Sequence, residues 1–332
     1  MKVALFIASE HYGGAEKAFV ELVNAMAQHH DVAAIIIRGN KIGQMVSESV
    51  KVYTLKSNPT RYNPLLIFEL YILLGWLDPD IIHTHAAKAT ELVYRVNMLL
   101  GKKHLATKHN DRKGRVFNKM QWVTTVSEKA ASSIHLGKKG RVWTIYNGIE
   151  EEKILSGSLP EKFTVVAVGR LDKIKGFAEL IRQVSSLSFP LVLKIIGEGQ
   201  EYDSLRALIV ELGAEGRIEL LGFRNDVHQQ IHDAHVVVVS SFSEGGPKVL
   251  IESLFYGRVF ISTPVGAVPE VLPERFIVTQ ERLGAKLEDV YNNYQQYEAE
   301  FARIAAEKKP LFLMTKIIKQ YDDLYHYLVE QV

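Results

Sequence analysis

Short apolar runs rich in β-branched residues recur along the chain, each closed by a small, polar or glycine-containing turn. The runs are 2–8, 32–37, 50–54, 81–85, 122–127, 142–145, 163–168, 191–196, 218–221, 235–239 and 259–262. They are too short for helices, and read as strands, several with the unbroken apolar character of a buried parallel sheet. Between them, apolar residues fall at helical spacing. Phe19, Leu22, Val23 and Met26 predict a helix over 15–28, and further helices are expected from Phe177 and over 248–256. Leu313, Ile317, Ile318, Tyr321, Leu324, Tyr325 and Leu328 predict a last helix that starts at Pro310. The segment 64–77 is apolar almost all round and reads as a packed helix rather than a membrane-surface one. The alternation pauses after Asn147-Gly148 and the Glu-, Ser- and Gly-rich stretch 149–162, then restarts. An α/β chain of two domains follows, 1–150 and 151–309, with 310–332 as the final helix.

Composition adds limits to this picture. At 332 residues, with 47% apolar and 23% charged positions, the chain has enough material for two well-filled cores. It contains no cysteine, which excludes disulfides, thiolate metal sites and cysteine nucleophiles. No apolar run reaches the ~20 residues of a membrane span, and the apolar start at Met1 continues straight into a glycine turn, as a first buried strand would. Net charge is +2, but it is unevenly placed: 21 Lys and Arg face 14 Asp and Glu up to residue 153, and 19 face 24 beyond it. A basic first half and an acidic second half imply different partners for the two domains.

The chemistry concentrates in Ser240-Ser-Phe-Ser-Glu244-Gly-Gly-Pro-Lys-Val-Leu-Ile-Glu252. A strand, a glycine turn and a helix in that order point backbone N–H groups at an anion, while Glu244 and Glu252 can accept hydrogen bonds from sugar hydroxyls. Ser9 to Gly14 forms a similar turn after the first strand. Asp78-Pro-Asp80 has the look of a metal-holding aspartate pair, but its place before the strand 81–85 reads as an ordinary turn. His83 and His85 flank Thr84 and are expected one on each side of that strand, with His85 available as a polar contact to a cleft. Gly197-Glu-Gly199 lacks the third glycine of a dinucleotide fingerprint, because Tyr202 occupies its place. Over 102–119, Lys102, Lys103, Lys108, Arg112, Lys113, Arg115 and Lys119 are opposed only by Asp111. This stretch is a candidate platform for a phosphorylated or membrane-embedded acceptor and for peripheral contact with an anionic membrane. No motif for nucleic acid accompanies it.

In this order the motifs resemble those of the GT-B retaining glycosyltransferases, specifically glycosyltransferase family 4. They are Gly13-Gly14-Ala-Glu16, Pro79-Asp-Ile-Ile-His-Thr-His85, Tyr146-Asn-Gly-Ile149, Val168-Gly-Arg170-Leu-Asp-Lys-Ile-Lys175-Gly176 and Ile196-Gly-Glu-Gly199. Leu221-Gly-Phe-Arg224, Ser243-Glu-Gly-Gly-Pro-Lys-Val249 with Glu252, and Pro264-Val-Gly-Ala267 complete the set. The resemblance implies two Rossmann-like domains facing a cleft, with the last helix crossing back to the first domain. It implies transfer from a nucleoside diphosphate sugar, a uridine diphosphate sugar favoured, to a glycan or lipid-linked acceptor. Retained anomeric configuration, no metal and no further cofactor come with it. Lipopolysaccharide or other bacterial surface polysaccharide synthesis at the cytoplasmic face of a membrane is the implied setting.

By the same resemblance Arg170 and Lys175 lie on the donor diphosphate, Glu244 on the transferred sugar and Glu252 on the ribose. Gly246, Lys248 and Val249 supply amides, Arg224 lies near the base, Gly14 near the phosphates, and His85 positions donor or acceptor. Independent physics agrees for the cations: a leaving diphosphate gains charge as the glycosidic bond breaks, and preorganised cations stabilise that charge most in the transition state. Two departures stand out. Pro247 replaces a frequent glycine and removes one N–H, and the segment from Leu272 is short where many members carry a glycine loop. The alternatives are a sugar-nucleotide epimerase on the same fold, or an inactive sugar-nucleotide-binding subunit.

Overall fold

Among the described residues, the apolar runs assemble into two separate sheets with all strands parallel. The structure is a computed structural model that describes every residue except His11, Tyr12, Lys113, Ser156, Ser158 and Val332, with Lys41 described through its backbone only. The chain divides into two compact units, one of Met1–Glu150 with Phe312–Val332, the other of Glu151–Leu311.

The first unit holds β1 (Lys2–Ile7), α1 (Gly14–Met26), β2 (Asp31–Ile37), β3 (Lys51–Leu55), α2 (Pro64–Leu77), β4 (Ile81–His85), α3 (Ala86–Leu100), β5 (Lys103–Lys108), β6 (Trp122–Thr125), α4 (Glu128–Ser132) and β7 (Arg141–Thr144). Its sheet runs β3-β2-β1-β4-β5-β6-β7. The second unit holds β8 (Phe163–Val168), α5 (Phe177–Ser185), β9 (Leu191–Ile196), α6 (Tyr202–Glu211), β10 (Ile218–Gly222), α7 (Val227–His232), β11 (Val236–Val239), α8 (Lys248–Tyr256), β12 (Phe260–Ser262), α9 (Val268–Val271), α10 (Leu283–Asn292) and most of α11 (Tyr294–Phe312). Its sheet runs β10-β9-β8-β11-β12. The final helix, α12 (Met314–Glu330), belongs to the first unit.

Helix α12 starts later than Pro310. That proline sits inside the last turn of α11, and the chain breaks instead at Leu313, which is extended at φ −62°, ψ 132°. The break is pinned from the first unit: Ile149 N–H donates to Phe312 O at 2.9 Å, and Met314 N–H donates to Ile149 O at 2.9 Å. Beyond it, α12 buries Ile317, Tyr321, Leu324, Tyr325 and Leu328 in one core with Phe19, Leu22, Val23 and Met26 of α1. Side chains of this size each contribute about 1.5–3 kcal/mol when fully buried, so the helix is an integral part of the unit.

On the other face of the first sheet, α2 buries only one stripe, Leu66, Leu70, Leu74 and Leu77. Asp78 is its left-handed cap and pairs with Lys102 at 2.5 Å, while Asp80 accepts from Lys2 N at 2.8 Å. Both aspartates therefore serve the turn. Strand β5 was legible only by its charges, yet it is buried through most of its length, Lys108 included.

Candidate active site

In the second sheet, β8 lies at the centre; β9 and β10 extend from one side of it and β11 and β12 from the other. The switch point between β8 and β11 is where an open parallel sheet opens a crevice at its carboxyl ends. The loops after those two strands carry Arg170, Lys175 and Glu244. Lys175 Nζ donates to Glu244 Oε1, which also accepts from Ser241 Oγ at 2.7 Å. The loops are tied together by Ser240 Oγ donating to Lys175 O and Phe242 N–H donating to Ile174 O, both at 2.8 Å. The cation and the carboxylate are thus brought together from positions 69 residues apart.

Two glycines make this approach possible. Gly176 has φ +67°, and a Cβ there would lie 2.2 Å from Ser240 O. Gly266, after β12, has φ +50°, and a Cβ would lie 2.1 Å from Gly245 O. Any side chain at either position pushes the acidic turn off its seat. Past the turn, Pro247 caps α8, and Lys248 and Val249 are its first residues. Amides of a first helical turn have no carbonyl within the helix to bond, which suits an anion there. Gly246 is half-buried just before the cap, and the Lys248 side chain is buried.

The remaining residues of the donor assignment are engaged with neighbours. Arg170 donates through Nε to Asp172 Oδ2 at 2.8 Å. Arg224 grips Asp226 with two hydrogen bonds of 2.6 Å, which hold the Asp226 carboxyl well below the usual carboxylate range. Both arginine pairs are substantially exposed. Glu252 is buried, with His228 Nε2 3.6 Å from its Oε1. His228 in turn bonds Glu152 Oε2 through Nδ1 at 2.8 Å and stacks on Tyr256. His228 had no signal in the sequence: it shares a polar segment with His232 and His235, and its carboxylate partners lie far away along the chain.

In the first unit, Gly14 is the first residue of α1, at the carboxyl end of β1. His83 and His85 correct the expectation that they point to opposite sides. Positions i and i+2 of a strand share a face, and their rings lie 4.4 Å apart between centroids. Thr84 takes the other face, where its Oγ1 is 2.9 Å from His104 Nε2. His83 is satisfied at both nitrogens, by Tyr325 Oη and Thr107 Oγ1 at 2.6 Å each. His85 is 1% exposed, with Nδ1 3.0 Å from His109 Nε2. Its Nε2 has no hydrogen-bond partner among the described residues, and the ring lines a cavity of about 20 Å³ with Tyr146, Asn147 and Tyr321. That is room for one water. Burial first, then the neighbouring His83 and His109, pushes the His85 pKa well below its ordinary value, so the ring is neutral at physiological pH. His109 is thus the residue that orients His85.

The basic stretch is also smaller at the surface than its composition implied. Lys108 is buried and donates to Ser133 Oγ at 2.6 Å, and Lys102 is taken by Asp78. Lys103 bonds Gln331 O. Arg112, Arg115 and Lys119 are exposed, and Lys113 lies outside the described residues. Among the described residues, no cluster of three or more acidic or histidine side chains has the arrangement of a metal site. No helix among them is long and apolar enough to cross a membrane.

Comparison with known proteins covers nearly the whole chain. The profile Glycosyltransferase Family 4 matches residues 12–153, and Glycosyl transferases group 1 matches residues 149–308. The N-acetylgalactosamine-N,N'-diacetylbacillosaminyl-diphospho-undecaprenol 4-alpha-N-acetylgalactosaminyltransferase of Campylobacter jejuni is 28% identical over 290 residues, 76% of this chain and 78% of the relative. The lipopolysaccharide core biosynthesis glycosyltransferase LpsE of Rhizobium meliloti is 26% identical over 259 residues, 76% of each. The solved structure of Anabaena Alr3699/HepE in complex with UDP-glucose matches with a TM-score of 0.86 at 18% identity, over 98% of this chain and 100% of that one.

Proposed function

Since the chain belongs to the family 4 glycosyltransferases of GT-B fold, we propose that it takes a sugar from a nucleoside diphosphate and places it, with retained anomeric configuration, on a hydroxyl of a glycan or lipid-linked acceptor. The observation that carries this reading is the Lys175–Glu244 pair at the switch point of the second sheet, beside the first turn of α8. On this reading the cation meets the charge that a leaving diphosphate develops, and the carboxylate accepts from sugar hydroxyls.

Each residue then has a task. Lys175 and Arg170 neutralise the diphosphate as the glycosidic bond breaks, supplying charge that a metal supplies elsewhere. Arg170 can leave Asp172 at small cost, because exposed ion pairs are worth only about 0–1 kcal/mol. Arg224 can exchange Asp226 for the nucleotide in the same way. The Glu244 carboxylate, already bonded by Lys175 and Ser241, is a poor covalent nucleophile and acts by positioning and electrostatics. The leaving phosphate takes the acceptor proton on the face it departs from. Glu252, buried beside His228, accepts from the ribose, and amides at Gly246, Lys248 and Val249 hold sugar and phosphate oxygens. His85, a neutral donor or acceptor, and Gly14 act from the first unit.

A uridine diphosphate sugar is the preferred donor, because similar structures hold UDP and UDP-glucose. The diphospho-undecaprenol of the Campylobacter relative's name and the lipopolysaccharide core of the Rhizobium one favour a lipid-linked or lipopolysaccharide acceptor. Peripheral attachment to the cytoplasmic face of a membrane, helped by Arg112, Arg115 and Lys119, suits such an acceptor. Incubation with UDP-glucose, UDP-galactose and their N-acetylated forms, with short lipid-linked saccharides as acceptors, tests the reading. Transfer lost in both Lys175→Ala and Glu244→Ala supports it; near-normal transfer in both overturns the site assignment.

A further inference from the structure

The carbonyls of Lys175 and Gly176 are each gripped from outside their own loop. Ser240 Oγ donates to Lys175 O at 2.8 Å, and Gln280 Nε2 donates to Gly176 O at 3.1 Å from 104 residues further along the chain. Gly176 O also accepts from Leu180 N–H at 3.1 Å, as α5 begins. Gln280 opens a short 3-10 turn, Gln280–Arg282, that leads into α10, and it is buried. Its carboxamide lies against the Cα of Gly176, where a Cβ would come 2.5 Å from Nε2. The side chain is held in turn by its own backbone. Just upstream, Val278 N–H donates to Ser262 O at 2.9 Å, which ties the segment to β12. Gln280 O accepts from Gln183 Nε2, and Gln183 Oε1 accepts from Gly284 N–H, both at 2.8 Å. Helices α5 and α10 are thus stitched together by two glutamines, and the stitch ends on the carbonyl next to Lys175.

Packing alone does not account for a glutamine at this place. A carbonyl only accepts, so the amide nitrogen of Gln280 must face Gly176 O. That leaves Oε1 buried with no hydrogen-bond partner among the described residues. An unmet buried acceptor costs stability. Methionine would fill a similar volume with no polar atom to satisfy. What the glutamine adds is the bond to Gly176 O.

We propose that Gln280 is a positioning residue for Lys175. By fixing the Gly176 carbonyl it fixes the Lys175 backbone, and with it the reach of the ammonium group toward a donor diphosphate. A lysine stem is flexible, so its charge is placed no more firmly than the Cα that carries it. Before a donor arrives, Glu244 also holds Nζ. Once Nζ turns to phosphate, the two carbonyl bonds are what keep the loop in register. The inference rests on the donor site proposed above and extends it to a residue that acts only through Lys175.

Calorimetric binding of UDP and UMP to wild type, Gln280→Met, Lys175→Ala and the double variant tests this on the full chain. Melting curves give the folded fraction of each. Gln280→Met is expected to weaken UDP about tenfold and UMP no more than about twofold, because UMP lacks the second phosphate, where charge develops on transfer. In Lys175→Ala the same change is expected to cost nothing further, since its effect passes through the missing ammonium. A merely structural glutamine predicts a different pattern: equal weakening of both nucleotides, or a loss that persists in full without Lys175. Either result overturns the proposal, as does unchanged UDP binding. If Gln280→Met does not fold, Gln183→Met, at a half-buried position, releases Gln280 O and carries the same comparison. A UDP-only loss that disappears with Lys175→Ala supports the proposal there, and any other pattern overturns it. Wild type that binds no UDP overturns the uridine donor reading and this inference with it. Wild type that binds UDP, beside a variant that keeps the wild-type preference over UMP, overturns this inference alone.

Discussion

Replacing Lys175 by methionine removes the charge at the switch point and keeps most of the stem. The position tolerates this shape: the stem lies close over Gly169, where a Cβ would come 3.2–3.4 Å from Cε, Cδ and Nζ. The folded protein loses one hydrogen bond between charged groups, and Glu244 keeps Ser241. Such bonds are worth about 1.5–3 kcal/mol; the side chains of this pair are only 20% and 16% exposed, so solvent screens little of it, and with the Ser241 bond kept the stability cost is about 1.5 kcal/mol. For a unit of this size that lowers the melting temperature by about 3–6 °C. The effect on the reaction is much larger. One preorganised donor at a developing negative charge is worth about 10²–10³ in kcat. Turnover, followed as nucleoside diphosphate released only with acceptor present, is therefore expected to drop at least a hundredfold while the melting curve moves by only a few degrees. A kcat within threefold of wild type would refute the role of Lys175. A collapse of the melting curve would show that the pair is chiefly structural.

Other consequences are as definite. Chelation with EDTA leaves transfer unchanged if Arg170 and Lys175 supply the charge; complete loss, restored by a divalent ion, would assign that task to a metal. Gly266→Ala drives a Cβ toward Gly245 O, and is expected to cost ~2 kcal/mol or more and to depress transfer beyond the loss of folded protein, measured by melting and by turnover per folded molecule. Acid should destabilise the first unit. Burial lowers the His83 and His104 pKa values to about 3 and that of His109 to about 4. The unfolded chain takes up these protons near pH 6.5 while the folded chain does not. Stability is therefore full above about pH 6.5 and falls as the pH drops toward 4, by up to about 2 kcal/mol per imidazole at pH 5. Thermal melts of wild type and His104→Gln at pH 7 and 5 measure it; an equal loss in both would remove His104 from the account.

The strands of the second unit were legible because each is a short, mostly apolar run, broken only by Thr164, Lys194 and Glu219, and ended by glycine or a small polar residue. The helix from Lys248 was legible because its glycine turn and apolar positions agree. What escaped is polar and buried. Strand β5 contains His104, Thr107 and Lys108, which look like surface in a linear reading. They are interior because they satisfy one another and their neighbours: Thr107 bonds Thr124 at 2.6 Å, and His104 bonds Thr84. Such pairings cross between strands and leave no periodic trace. The His228–Glu252 contact escaped for the same reason. Pro310 misled because a proline usually opens a helix; here the loss of one helical bond near the end of α11 is tolerated, and the break follows the backbone bonds from Ile149. Arg170 and Arg224 were singled out from their motifs, but not the carboxylates, Asp172 and Asp226, that hold them.

Thermal-shift titration of wild type and Lys175→Ala with UDP, GDP and ADP tests the central claim most directly. The account predicts that one nucleotide, UDP first, raises the melting temperature of wild type in a saturable way, and that Lys175→Ala needs at least tenfold more of it. Equal stabilisation of both proteins would contradict a diphosphate site built around Lys175 and Glu244.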